Sequence, residues 1–394
     1  MTPPIDRRTF LRRSGGAAVL GIAGAAGLDA CSGSKKPARA SAAPSASGGT
    51  AGSPTSPAVT AAPPGAKTVG GTPVPAVASG VNGRLDVQLP WVKDVESAGE
   101  FVADSSGYYA QLGFSPVTLV PGGPSAVPQE TQVETGRVLL AITSLDAAAA
   151  AVQRGRPLVV LGAEYQKSPF CIMSLESKPL NTPQDMVGKR IGVQPPNDAV
   201  WSAFLNANRI DSAKVTKVPV QFDPTALAAG QVDGWFSFIT NEPIELGLAG
   251  VKTTTFLLND FNYPEVGNVL IVNANTLKTA RDKVKAAMTA EIIAWRESIQ
   301  KPDEGAALSV QKYGTALRLP SQQQQSRAQN ALMATGDALT SGLFYVSPVS
   351  QQANVRTLAV GGTTVTAAQL FDMTVLDEIY QAYPSIKTVP TPGT

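Results

Sequence analysis

From residue 85 onward, ten short runs rich in β-branched and aromatic residues alternate with helical stretches, and Gly, Pro, Asn and Asp punctuate the joins. The spacing predicts strands at 85–89, 117–120, 138–142, 158–162, 171–175, 190–193, 217–221, 235–239, 254–258 and 269–272. Between them, 145–153 is alanine-rich with Ser144 placed as its cap, and Thr182-Pro183-Gln184-Asp185 puts Pro at the first helical position with an acid near the dipole. Phe371, Val375, Ile379 and Tyr383 recur at helical spacing near the end. Strands and helices in this alternation give an α/β fold.

The folded region starts late. No aromatic residue occurs between Phe10 and Trp91. Residues 32–80 are mostly Ala, Pro, Ser, Gly and Thr, with a few valines, Lys35, Lys36, Arg39 and Lys67 and no acid, too little apolar surface to offset ordering entropy. They read as a tether. Ahead of it, Asp6-Arg7-Arg8-Thr9-Phe10-Leu11-Arg12 is a twin-arginine export signal, and 14–28 is an uncharged stretch too short to cross a bilayer comfortably. Leu28-Asp29-Ala30-Cys31 resembles a bacterial lipobox, which makes Cys31 the candidate lipidation site and 1–31 the signal; cleavage near Ala30 without lipid is the alternative. The expected location is the outer face of the cytoplasmic membrane, held there by acyl chains.

Composition removes whole classes of chemistry. The chain has no histidine, which takes away the commonest general base, the Ser-His and Cys-His nucleophiles and nearly every zinc site. No metal or cofactor is expected. A net charge of +2 from 32 basic and 30 acidic residues leaves no basic stripe, so nucleic acid is not an expected partner. With Cys31 lipidated, Cys171 in Phe170-Cys171-Ile172-Met173 has no partner and reads as a small buried apolar residue.

In open parallel sheets, ligands collect beyond the carboxyl ends of strands. The residues there are Trp91, then Gly122, Gly123 and Ser125, then Ser144, then Tyr165, Asn197, Asp223, and Asn241 with Glu242. Each has an ordinary structural role open to it: tight turn, helix cap or core aromatic. Together they offer an indole face for stacking and ionised acceptors, which suits a planar ligand with N–H donors. A sulfonate, nitrate or phosphate would want Arg or Lys forks or a run of backbone N–H groups, some of which Gly122 to Ser125 could supply.

Gly107-Tyr108-Tyr109-Ala110-Gln111-Leu112-Gly113-Phe114, Pro121-Gly122-Gly123-Pro124, Gln166-Lys167-Ser168-Pro169-Phe170, Val187-Gly188-Lys189-Arg190-Ile191-Gly192-Val193-Gln194 and Phe222-Asp223-Pro224-Thr225-Ala226-Leu227 resemble the substrate-binding proteins of ABC importers. More narrowly, they resemble the branch of thiamine-pyrimidine precursor binding proteins and the pyrimidine synthase related to them, kin of nitrate, sulfonate and taurine binding proteins. Ala229-Gly230-Gln231-Val232-Asp233-Gly234-Trp235 and Thr240-Asn241-Glu242-Pro243 add to the likeness, which covers about residues 85–297.

That resemblance implies a two-lobed periplasmic-binding-protein-like fold, each lobe a mostly parallel sheet flanked by helices, with the ligand cleft between them. It places the crossovers near 175–178 and 262–268, lobe one at 84–176 plus 268–390 and lobe two at 177–267. By position it gives Trp91, Tyr165, Asn241 and Glu242 the roles of stacking a ring and holding its exocyclic amine. It implies a monomeric, cofactor-free, non-enzymatic receptor that delivers a small planar nitrogen heterocycle to an ABC permease and its ATPase. A thiamine-type pyrimidine comes first, then a riboflavin-like vitamin, then an aliphatic sulfonate or nitrate. A secreted enzyme with Asp223 or Glu242 as base, or a ligand-sensing module, is the different class. Where many relatives carry a histidine after the first strand, this chain has Asp94-Val95-Glu96-Ser97, so one edge of the ligand would be met differently. The synthase branch needs a donor histidine and a cysteine-rich segment, and the chain has neither.

Overall fold

Strand direction is what makes a cleft here. The computed structural model describes residues 68–69, 72–73 and 77–393. The export signal and Cys31 lie outside them, as does nearly all of the tether. All ten expected strands form: β1 (Gly83–Gln88), β2 (Phe114–Val120), β3 (Leu140–Thr143), β4 (Leu158–Tyr165), β5 (Phe170–Leu175), β6 (Arg190–Val193), β7 (Thr216–Pro219), β8 (Gly234–Phe238), β9 (Thr253–Leu257) and β10 (Gly267–Asn273).

They make two five-stranded sheets, ordered β2-β1-β3-β10-β4 and β9-β5-β8-β6-β7. In the first, β1 pairs in parallel with β2 and β3, while β10 runs antiparallel to β3 and β4. The second repeats this, with β5 reversed against β8 and β9 and with β6 parallel to β7 and β8. Four strands of each sheet therefore share a direction and the fifth is reversed. The reason is topological: β5 and β10 arrive from the other sheet, so they start where the remaining four end. The carboxyl ends of eight strands and the starts of β5 and β10 thus converge between the sheets.

The first crossover falls earlier than expected. β4 ends at Tyr165 in the first sheet and β5 starts at Phe170 in the second, so residues 166–169 make the passage and 170–175 belong with the second sheet. The run Phe170-Cys171-Ile172-Met173 fits a buried strand in either sheet, and nothing in a hydrophobic pattern says which neighbour it pairs with. The second crossover, residues 258–266, overlaps the expected one. The two passages run side by side, with the Ser168 N–H donating to the Glu265 carbonyl at 2.7 Å.

Burial follows strand period. Every residue of β4 is buried, as the sheet is covered on both faces. In the second sheet Ile172 and Phe236 join one hydrophobic cluster, whereas their chain neighbours Met173 and Trp235 join another on the opposite face. Cys171 is buried with a free thiol.

The helices used below are α1 (Ala98–Ser105), α2 (Leu145–Gln153), α3 (Asp198–Ala207), α4 (Glu242–Leu248), α5 (Arg281–Gln300), α6 (Leu319–Met333), α7 (Pro348–Val360) and α8 (Thr374–Ala382). α2 starts after Ser144, as the sequence predicts, whereas α8 takes up only the middle of the periodic stretch: Val375 and Ile379 lie in it, Phe371 bridges Val160 ahead of it and Tyr383 follows its end. The Thr182 region forms a single turn, Pro183–Met186, closed by a capping box between Thr182 and Asp185. α5 buries Trp295 against α1, where Gly99 is required: a Cβ there would lie 2.2 Å from the indole nitrogen.

Candidate ligand-binding cleft

Trp91 follows β1 and meets Phe222, which follows β7 in the other sheet, edge to face with centroids 5.0 Å apart. This pair spans the cleft. Phe222 was not singled out from the sequence; its signal was an aromatic side chain directly after a strand end, next to Asp223.

The Gly122-Gly123 turn braces the Trp91 loop. The Gly122 N–H donates to the Trp91 carbonyl at 2.8 Å, and Gln129 Nε2 donates to the Leu89 and Pro90 carbonyls. Gly122 has no room for a side chain, since a Cβ would lie 2.5 Å from the Leu89 oxygen. Its amide is committed to the loop and is not free to hold an anion. Ser125 is exposed.

The cleft floor is acidic. Asn268, at the start of β10, donates through Nδ2 to Glu96 Oε1 at 3.0 Å and to Glu164 Oε2 at 3.1 Å. Glu96 sits in the turn Val95–Ser97, capped by Asp94 Oδ1, which accepts from the Glu96 N–H at 3.0 Å. Glu242, opening α4 from the other sheet, accepts through Oε2 from Ser237 Oγ at 2.8 Å and from the Phe238 N–H at 3.0 Å.

Burial dominates the ionisation of these groups, and neighbouring carboxylates add to it. It pushes Glu96 up to about 7, against the Asn268 bond and with help from the Glu242 charge. Asp94 is held well above the carboxylate range by burial and then by Glu96, and Glu164 by burial and then by Glu100. Glu242 is raised by burial, opposed by its two hydrogen bonds. Among the described residues no salt bridge reaches Asp94, Glu96, Glu164 or Glu242.

The other sequence-predicted residues take local roles. Tyr165 is buried, its hydroxyl donating to Gln329 Oε1 at 3.3 Å. Ser144 stands before α2 and lines a small cavity in the cleft. Asn197 donates to Gln194 Oε1 at 3.0 Å, and Asp223 is exposed and accepts from the Thr225 N–H at 2.9 Å. Asn241 Oδ1 accepts from Gln325 Nε2 at 3.2 Å.

Gln325 belongs to a row that the sequence reading passed over. Gln322, Gln325 and Gln329 share one face of α6: Gln322 accepts from the Val95 N–H and Gln329 donates to the Val95 carbonyl, each at 2.8 Å. The available signal was glutamine at i, i+3 and i+7. A wider hollow of about 420 Å³, lined by Leu158, Lys278, Arg281 and Phe371, opens where β4 begins and β10 ends, the end away from the cleft.

Two sheets with converging strand ends, joined by paired crossovers around a cleft, define a periplasmic-binding-protein fold. The aliphatic sulphonate binding protein SsuA of Escherichia coli superposes with a TM-score of 0.57 at 15% identity, over 73% of this chain and 92% of that one. Residues 94–305 match the NMT1/THI5-like family, and the chain belongs to it. Among relatives, the riboflavin-binding protein RibY of Chloroflexus aurantiacus is 25% identical over 233 residues, 58% of this chain and 66% of RibY. The formylaminopyrimidine-binding protein of Halalkalibacterium halodurans is 24% identical over 225 residues, 56% of this chain and 68% of its own. The match to RibY thus spans just under two thirds of that relative.

Proposed function

We propose that this protein is an exported solute receptor that captures a small planar nitrogen heterocycle and delivers it to an ABC permease and its ATPase. The observation that carries this is the acid-floored cleft bridged by Trp91 and Phe222: a ring stacks on the aromatics while its N–H groups donate to Glu96, Glu242 and Asn241. Ring stacking with three to five hydrogen bonds is compatible with micromolar or tighter affinity, about −8 kcal/mol or beyond. An aminopyrimidine fits first, supported by the formylaminopyrimidine-binding relative. A riboflavin-like vitamin is the second reading, favoured by the RibY relative. A sulfonate or nitrate fits poorly, because the Gly122 amide, a backbone donor that could have held it, is already used.

Capture rather than turnover is the expected activity, since the chain has no histidine to serve as base or donor. Export by the twin-arginine signal, lipidation at Cys31 and action as a monomer complete the proposal; palmitate label that fails to follow the protein would remove the anchor. The deciding experiment is a thermal-shift screen with formylaminopyrimidine, riboflavin, taurine and nitrate. A ligand present at a hundred times its dissociation constant adds about 2.7 kcal/mol. Stabilisation by taurine or nitrate alone would overturn the heterocycle, and mass spectrometry finding a bound heterocycle chemically altered would overturn capture.

A further inference from the structure

Between the two crossovers lies a cavity of about 20 Å³, room for one water-sized group. Its wall includes Ser144 and Asp146 at the start of α2, Ser168 from the first crossover, Glu265 from the second, and Asn268 from the start of β10. Phe170 and Phe238 complete it, packed edge to face at 4.7 Å.

Glu265 is the unusual member. It is 3% exposed, its Oε1 has no hydrogen-bond partner, and Asp146 Oδ1 has none either. Burial, and then the Asp146 charge, hold the Glu265 carboxyl well above its ordinary range. Among the described residues no lysine or arginine forms a salt bridge with either. A buried carboxylate without a partner is expensive; Glu265 is that group, and the half-buried Asp146, whose carboxyl is held by Ser144 but leaves Oδ1 unpaired, lines the same hollow. The group that relieves both at once is compact, positively charged and rich in donors. Ser144, Ser168 and Asn268 supply further oxygens for it, and the paired rings attract a cation through their quadrupoles.

We propose that this cavity seats a single compact cationic group between Asp146 and Glu265. Two sources share that chemistry: the ammonium-like end of the transported solute, or an inorganic cation that completes the cleft. In the first case the inference rests on the receptor reading above and narrows it to solutes that carry a positive charge.

The test titrates the full-length protein with methylammonium and agmatine, each of which presents a compact, donor-rich cationic end. Potassium and calcium chloride run beside them, with riboflavin and formylaminopyrimidine in parallel. At least one cation should raise the melting temperature, and Glu265→Gln should weaken its binding at least tenfold, with Asp146→Asn as the second variant if the first fails to fold. Response to organic cations assigns the seat to the solute; response to potassium or calcium alone assigns it to an ion. No response to any cation, or equal affinity in both variants, overturns the seat. Riboflavin or formylaminopyrimidine binding without any cation response leaves the heterocycle reading standing, whereas cation binding with neither heterocycle bound overturns that reading and keeps the seat.

Discussion

At the scale of single residues, the cleft depends on two kinds of position. Trp91 contributes a face: Trp91→Ala should weaken formylaminopyrimidine or riboflavin binding at least tenfold, about 1.4 kcal/mol, while the unliganded protein melts nearly as before because the indole is only half-buried. Calorimetric titration giving equal affinity would take Trp91 out of the site. Gly122 contributes the absence of a side chain. Its Cβ would press on the Leu89 carbonyl, which is backbone and cannot swing away, so Gly122→Ala should cost about 1–3 kcal/mol. Gly247→Ala in α4 meets nothing within 4 Å and should be neutral or slightly stabilising. Thermal melts that fail to separate these two variants would refute the packing argument. Trp91 and Gly122 were legible because each follows a strand end. Phe222 carries the same signal, an aromatic just past a strand end, and its partner across the cleft is what the sequence leaves out; Asn268 and Glu164 were not legible, because their contact spans 104 residues of chain.

At the scale of elements, all ten strands could be read because period and turn residues mark them, yet the sheet each strand joins could not. Pairing is a long-range choice, which is why the first crossover lies at 166–169 and not after 175. The C-terminal helices were the least legible part, and they turn out to brace the cleft. α6 holds the Val95–Ser97 turn on one side and reaches α4 on the other, where Gln325 Nε2 donates to Asn241 Oδ1 and to Glu245 Oε1 at 3.2 and 3.3 Å. Arg318 and Ser321 also bind Glu245. α7 steadies the second crossover, with Asn354 accepting from the Val266 N–H at 2.9 Å and Thr357 donating to the Pro264 carbonyl at 2.8 Å. Each largely buried bond is worth about 0.5–1.5 kcal/mol, and an exposed ion pair such as Arg318–Glu245 about 0–1. Gln325→Ala should therefore loosen α4 from α6 and shift the unliganded protein toward a more open form, whereas Arg318→Ala should do little. Small-angle scattering that gives the same radius of gyration for Gln325→Ala and the parent would sink the clasp.

At the scale of the whole molecule, the buried acids set how stability varies with pH. They continue from the cleft into the core: Glu164 adjoins Glu100, the Glu100 charge raises Glu291, and Glu291 accepts from the Tyr109 hydroxyl. Burial pushes Glu96 and Glu100 up to about 7 from an ordinary value of 4.5 and holds Glu164 and Glu291 well above it. Between those values the folded chain keeps protons that the unfolded chain has released, so raising the pH through the window removes stability. Below 4.5 both states hold the proton and the contribution is complete; above about 7 it is gone for Glu96 and Glu100. The carboxylates with lowered values, Asp185, Asp233 and Glu378, act the opposite way but only below their ordinary range, outside this window. The unliganded protein should therefore melt several degrees higher near pH 5 than near pH 8. Glu100→Gln, which is neutral throughout, should flatten that slope while keeping the shape of the side chain. Parallel melting curves against pH for the variant and the parent would show that the carboxyls inside the first lobe do not carry the protons assigned to them.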